Sequence, residues 1–360
     1  MNEVVITGGA ILLDTYRHTM DECYPIKKVG DISYADFIGT RGLKYLTEST
    51  KMSLTASVMA KAHAELEEVE PERGGVVLAT NMASISYVTD FDMTSLVEGV
   101  NDVSPMQGPN LLLNAPASRL GIFHRFSGFN TTVTSGRVGG HDALEYAYQA
   151  IARDEVDVCI VAGVEEKSEE YLNWHIQSGR IKQHETDLIN QGAAVVILES
   201  KTHALQRGAT IYGTLSGFAS YFDPNALREQ TEQVSVSGYQ HLMDTLFSPV
   251  HEVAATQDVY SSNSSQQAHS SDISTIKSVC IADSQLHRSG EEEKAFILNH
   301  LGTGPLVINH FERFGGELYG ACGILQLLTA LHQTEEGHGL IFNYDWFGHY
   351  RSLLFHKEGE

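Results

Sequence analysis

The chain has 360 residues, 42% of them hydrophobic, which is enough to bury a sizeable core and excludes a disordered or fibrous protein. Its 24 Lys and Arg against 46 Asp and Glu give a formal charge of -22, which repels nucleic acid and anionic lipid surfaces. Apolar runs such as 6–13, interrupted by two glycines, fall far short of the roughly 20 residues a membrane helix needs. The first four residues lack the positive segment of a secretory signal, so a cytoplasmic protein without a membrane span is expected.

In chain order, short apolar runs bounded by Gly, Asp or Glu predict strands at 4–6, 75–79, 156–162, 193–198, 279–282, 339–343 and 352–355. Apolar residues at three and four spacing predict helices at 43–66, 141–152 and 323–332. The alternation points to helices packed on mixed sheets. The stretch 253–274 is dominated by Ser, Asn, Gln, His and Asp and reads as a solvated surface loop without chemistry. The acidic runs 65–72, 165–170 and 291–293 read mostly as solvated helix faces. Four widely spaced cysteines, Cys23, Cys159, Cys280 and Cys322, form no C-x-x-C pair and no zinc pattern, so free thiols, no metal and no cofactor are expected.

A weak duplication runs through the sequence. One Gly-rich helix start lies at Ser135-Gly136-Arg137-Val138-Gly139-Gly140 and a second at Phe314-Gly315-Gly316-Glu317-Leu318-Tyr319-Gly320-Ala321. Stacked halves would bring these two helix N-termini together, where a site for an anion or a thiolate is built.

Four segments carry a resemblance. Gly128-Phe129-Asn130-Thr131-Thr132-Val133-Thr134-Ser135-Gly136-Arg137 resembles the strand-to-helix elbow that delivers the nucleophilic cysteine of β-ketoacyl synthases. Gln191-Gly192-Ala193-Ala194-Val195-Val196-Ile197-Leu198-Glu199 is similar to their Glu-Gly-Ala strand, and Gly316-Glu317-Leu318-Tyr319-Gly320-Ala321-Cys322-Gly323 to their Gly-His-Leu-x-Gly-Ala-x-Gly helix start. Asn343-Tyr344-Asp345-Trp346-Phe347-Gly348-His349, followed by 352–355, sits where that family has its gate loop and final strand. The resemblance implies an α/β thiolase fold, two duplicated βαβαβαββ halves in five layers, with halves at 1–210 and 211–360.

The family's chemistry needs a cysteine thiolate and two histidines that stabilise an oxyanion. Aligned on the motifs, Arg137 stands at the cysteine, Glu317 at the second histidine and Ser284 at the first. A guanidinium has no nucleophilic lone pair at neutral pH, and a carboxylate repels an oxyanion. Arg137 and Glu317, at the tips of two helices, would instead pair. His300-Leu301-Gly302-Thr303-Gly304 imitates a family motif but lies only 17 residues before Glu317 and reads as a surface turn; His141 reads as a packed or solvated residue.

The resemblance therefore implies a catalytically silent subunit, similar to chain-length factors of type II polyketide systems and in particular those of aryl polyene pathways. Its partner would be an active β-ketoacyl synthase, met across the edge strand Asn130, Thr131, Thr132, Val133, Thr134 and Ser135. Met106, Phe129, Tyr319, Trp346 and Phe347 are candidate walls of the acyl tunnel. Acyl carrier protein would dock mainly on the partner, with Arg41 or Lys44 contributing at the rim. The rival reading is an acyltransferase or hydrolase using Ser135, Ser284 or His141 on the same fold.

Overall fold

The computed structural model describes residues 2–16, 24–179, 181–226, 236–247, 273–282, 290–309, 316–345 and 347–359. Ser284, Trp346, Cys23 and most of the polar stretch 253–274 lie outside the described residues; 273–275 form a single 3-10 turn.

The first half opens with β1 (Val4–Leu13), buried at every position, then β2 (Ile26–Lys28), α1 (Tyr34–Ile38) and α2 (Glu48–His63). The expected helix 43–66 divides because Thr47 caps α2, its hydroxyl accepting the Thr50 N–H at 3.2 Å, while Leu43–Tyr45 forms a separate 3-10 turn. There follow β3 (Gly74–Ala79), α3 (Ile85–Val97), α4 (Ala115–His124), β4 (Phe129–Val133), α5 (Gly139–Ala152), β5 (Val158–Glu165), α6 (Glu169–Gln177), β6 (Gly192–Ser200) and α7 (Lys201–Gln206). The second half supplies β7 (Gly213–Phe222), α8 (Val236–Phe247), β8 (Ile276–Ile281), α9 (Gly290–Leu301), β9 (Leu306–Asn309), α10 (Cys322–Gln333), β10 (Gly337–Tyr344) and β11 (His349–Lys357).

The strand order β4-β3-β5-β6-β1-β7-β11-β10-β8-β9 is a palindrome of two like halves. In each, three neighbouring strands run parallel, the fourth runs against them and the fifth against the fourth, so four share one direction; β1 meets β7 antiparallel at the join, and the short β2 pairs with β1. Helices α5 and α10 pack on each other between the half-sheets, and the core around them draws on both halves. A second core holds α2 and α4 against the outer face of the first half, and a third holds α8 and α9 against the second. The result is the five-layered thiolase-like fold of mixed α/β type.

Two expectations change here. Edge strand β4 ends at Val133, so Thr134 and Ser135 lie beyond its ladder and lead into a 3-10 turn at Gly136–Val138. Of the segment read as a surface turn, His300 and Leu301 belong to the last helical turn of α9, with His300 stacked on Phe296 at 4.1 Å between ring centroids, and the exposed turn itself begins at Gly302. The aliphatic and aromatic residues of α9 hold the helix through His300, and Gly302 at φ +71 then ends it.

Candidate functional site

The elbow after β4 turns through Gly136, at φ +65, where a Cβ would stand 3.0 Å from a carboxylate oxygen of Asp345. That turn aims Arg137 inward. Two residues on, Gly139 and Gly140 start α5 against the start of α10; a Cβ on Gly140 would stand 2.9 Å from the Gly320 carbonyl oxygen. Close approach of the two helix starts puts Arg137 and Glu317 in one buried volume.

Arg137 Nε donates to Glu317 Oε2 at 3.1 Å, and both side chains are within 1% of full burial. The guanidinium also donates to the Tyr344 carbonyl at 3.4 Å and lies 5.7 Å from the centre of the Tyr344 ring. Burial is the largest single influence and opposes its charge, but Glu317 together with the smaller contributions of Cys322, Tyr344 and Glu293 outweighs it, so the guanidinium is held above its ordinary range and stays charged. Glu317 is fixed as firmly. Its Oε1 accepts the N–H groups of Leu318 at 3.2 Å and Tyr319 at 3.1 Å, and its backbone bonds to Leu188 and Asn190 in a one-residue bridge.

The thiol of Cys322, first residue of α10, donates to Glu317 Oε1 at 2.7 Å. Burial and the neighbouring carboxylate push this thiol well above its ordinary value, which keeps it protonated and unreactive although it sits at a helix N-terminus. His141, in the first turn of α5, is buried; burial and then Arg351 and Arg137 lower its pKa to about 3. It is a neutral packed ring, 3.4 Å from the Asn343 amide. Asn343 also donates to the Arg137 carbonyl at 3.0 Å, tying β10 to the elbow. Ser135 donates to Asp142, which is itself paired with Arg351. The Ser135 hydroxyl therefore faces a carboxylate already paired with Arg351, with no imidazole bonded to it among the described residues.

The structure brings Arg137 and Glu317 together and disperses the described tunnel candidates Met106, Phe129, Tyr319 and Phe347, Trp346 lying outside the described residues. Tyr319 is buried beside them with its hydroxyl 3.0 Å from His175 Nε2 and its backbone at φ +36, a left-handed conformation costly for a side chain of that size. Phe129 packs at 5.4 Å on Tyr146, over β4. Phe347 is 42% exposed in the turn after β10, where Asp345 accepts its N–H and that of His349. Met106 is 64% exposed and lines a cavity to which no elbow residue contributes.

Sequence reading missed Glu165 and Glu293 by treating acidic runs as solvated faces. Both are buried. Glu293 accepts the Tyr239 hydroxyl at 2.6 Å and the Ala282 N–H at 2.9 Å. Glu165, the last residue of β5, accepts the N–H groups of Asn81 at 2.6 Å, Met82 at 3.1 Å and Gly320 at 3.0 Å, bolting the loop after β3 to the start of α10. Its position at a strand end, ahead of the α6 cap at Ser168, was the available signal. Burial raises its carboxyl to about 8 against those donors. The folded state therefore keeps a proton that the unfolded chain gives up near its ordinary value of 4.5, and stability falls as pH rises from there towards 8. Glu165→Gln should flatten that slope; parallel curves of melting temperature against pH for the two proteins would show that Glu165 does not titrate in this window.

Comparison with known proteins gives the same fold. Residues 34–187 match the family model described as Beta-ketoacyl synthase, N-terminal domain. The 3-oxoacyl-[acyl-carrier-protein] synthase 2 of Vibrio harveyi is 21% identical over 327 residues, 86% of this chain and 74% of that protein. The actinorhodin polyketide putative beta-ketoacyl synthase 2 of Streptomyces coelicolor is 27% identical over 217 residues, about half of each protein, 55% of this chain and 53% of the relative. Among solved structures, the ishigamide ketosynthase/chain length factor superposes with a TM-score of 0.75 at 15% identity, covering 99% of this chain and all of that one. A Beta-ketoacyl synthase from Burkholderia phymatum STM815 gives 0.76 at 17% identity over 99% of this chain.

Proposed function

We propose that this chain is a non-catalytic, ketosynthase-like subunit that pairs with an active β-ketoacyl synthase and shapes the acyl tunnel, in the manner of a chain-length factor. The observation that carries the reading is the elbow itself. On a ketosynthase-like fold, the position of the nucleophile is filled by the buried, ion-paired Arg137, and the facing helix start presents Glu317. The guanidinium has no nucleophilic lone pair to accept an acyl group, and the ionised carboxylate has no donor to offer an oxyanion. The nearby Cys322 thiol is protonated and bonded to Glu317.

The surface supports the pairing half of the reading. Strand β4 has β3 as its single neighbour among the described residues and leaves its other edge open. Helix α3 buries none of its thirteen residues, and Met93, Leu96, Val97 and the following Val100 are between 52% and 80% exposed. Apolar exposure of this kind favours association with a partner. The likeness to a ketosynthase/chain length factor structure favours a partner of the same fold. An aryl polyene pathway is the setting proposed from the sequence resemblance. The hydrolase alternative requires a base beside Ser135, where the structure has Asp142 already paired with Arg351.

The test is direct. Arg137→Cys in the isolated subunit should yield no acyl-enzyme and no condensation, because Glu317 and not a donor still faces the new thiol. Acyl transfer and malonyl decarboxylation are assayed for the wild type, the variant and each mixed with a ketosynthase encoded beside it. Turnover by the isolated wild type would overturn the reading, and turnover by the variant alone would show that oxyanion donors are present.

A further inference from the structure

Two arginines of this acidic chain line one cavity that has no counter-charge. Between α1, the 3-10 turn Leu43–Tyr45, α2 and α4 lies a half-open cavity of about 390 Å³, floored by Leu43, Leu46, Leu54 and Phe123 and bordered by Arg41 and Arg119. No Asp or Glu lines it, in a chain with 46 of them. Neither arginine forms an ion pair among the described residues. We propose that this cavity binds an anionic amphiphile, its apolar chain on the leucine floor and its carboxylate held by Arg41 and Arg119.

The chemistry of the lining selects this class. An apolar concavity of roughly 300–1,000 Å³ with a few convergent polar groups is the common form of a small-molecule site. Guanidinium binds carboxylate or phosphate through paired, charge-assisted hydrogen bonds, and here no carboxylate of the protein competes for it. An uncharged chain would use the floor and leave the arginines unused; a small anion would use the arginines and leave the floor wet. The proposal is independent of the reading of the elbow, since no elbow residue lines the cavity.

The experiment is calorimetric titration of the full chain with decanoate below its micellar concentration, with decanol and acetate as the two half-ligands. Saturable one-site binding of decanoate is expected, weakened by about tenfold in Arg41→Gln and in Arg119→Gln, and abolished in the double variant. Arg41 is exposed and its substitution should leave the melting temperature unchanged, so loss of binding there cannot be laid to unfolding. Decanol binding as tightly as decanoate, decanoate affinity unmoved by both single substitutions, or no saturable decanoate binding would each overturn the proposal.

Discussion

Replacing Glu317 with alanine should cost about 3–5 kcal/mol of stability, because it takes the nearest carboxylate from a guanidinium that is 1% exposed. The same change removes the acceptor of the Cys322 thiol and of the Leu318 and Tyr319 N–H groups at the start of α10. Glu155→Ala, at an exposed site, is the control and should cost little. The paired change Arg137→Met with Glu317→Leu should recover most of the loss, since replacing a buried ion pair by apolar groups of similar volume is often neutral or stabilising. Urea unfolding of the wild type and the three variants measures these differences. If Glu317→Ala unfolds at the same denaturant concentration as Glu155→Ala, the pair is not a structural joint.

The second large effect concerns association. Thr132 lies on the open edge of β4, and Leu96 and Val100 are 80% and 73% exposed. Thr132→Lys should block edge pairing as natural edge lysines do, and Leu96→Glu with Val100→Glu should place two charges in an apolar contact. Each variant is expected to weaken association with a ketosynthase by at least about tenfold, and the two combined by about 100-fold. Leu96 and Val100 are exposed in the subunit, so their variant should melt as the wild type does. Sedimentation should show the unaltered chain, expressed alone, as a poorly soluble species or a weak homodimer. A monodisperse monomer that gains nothing on mixing with a ketosynthase would remove the interface.

On the proposed reading, the chain's charge of -22 should turn away an acidic carrier protein, so that docking would fall mainly to a ketosynthase partner.

The sequence by itself determined the layered architecture, because continuous apolar runs bounded by turn residues and period-3.6 apolar patterns need no tertiary context: β3, β5, β6, β10, β11, α5 and α10 all lie where their patterns put them. It also determined that the elbow has arginine and the facing helix start glutamate. It did not mark β7, whose Gly-Thr-Leu-Ser-Gly-Phe-Ala-Ser-Tyr-Phe lacks a clean alternation and becomes a strand because β1 and β11 flank it. Nor did it mark α3, since an apolar helix with no buried residue is defined by what it leaves uncovered.

Only the tertiary structure decided the fate of the charges. Glu165 and Glu170 belong to one acidic run, yet Glu165 is 1% exposed and accepts hydrogen bonds from both halves of the molecule. Local sequence records that a carboxylate is present; whether it is solvated depends on which backbone donors arrive from residues 83, 84 and 155 positions away. The same holds for Cys322, whose reactivity is set by Glu317 folding back across its helix start and by burial, not by its place at a helix N-terminus. Burial makes these long-range partners decisive, because in a low-dielectric interior a charge or a thiol is governed by its immediate neighbours, and neighbours are assigned by the fold.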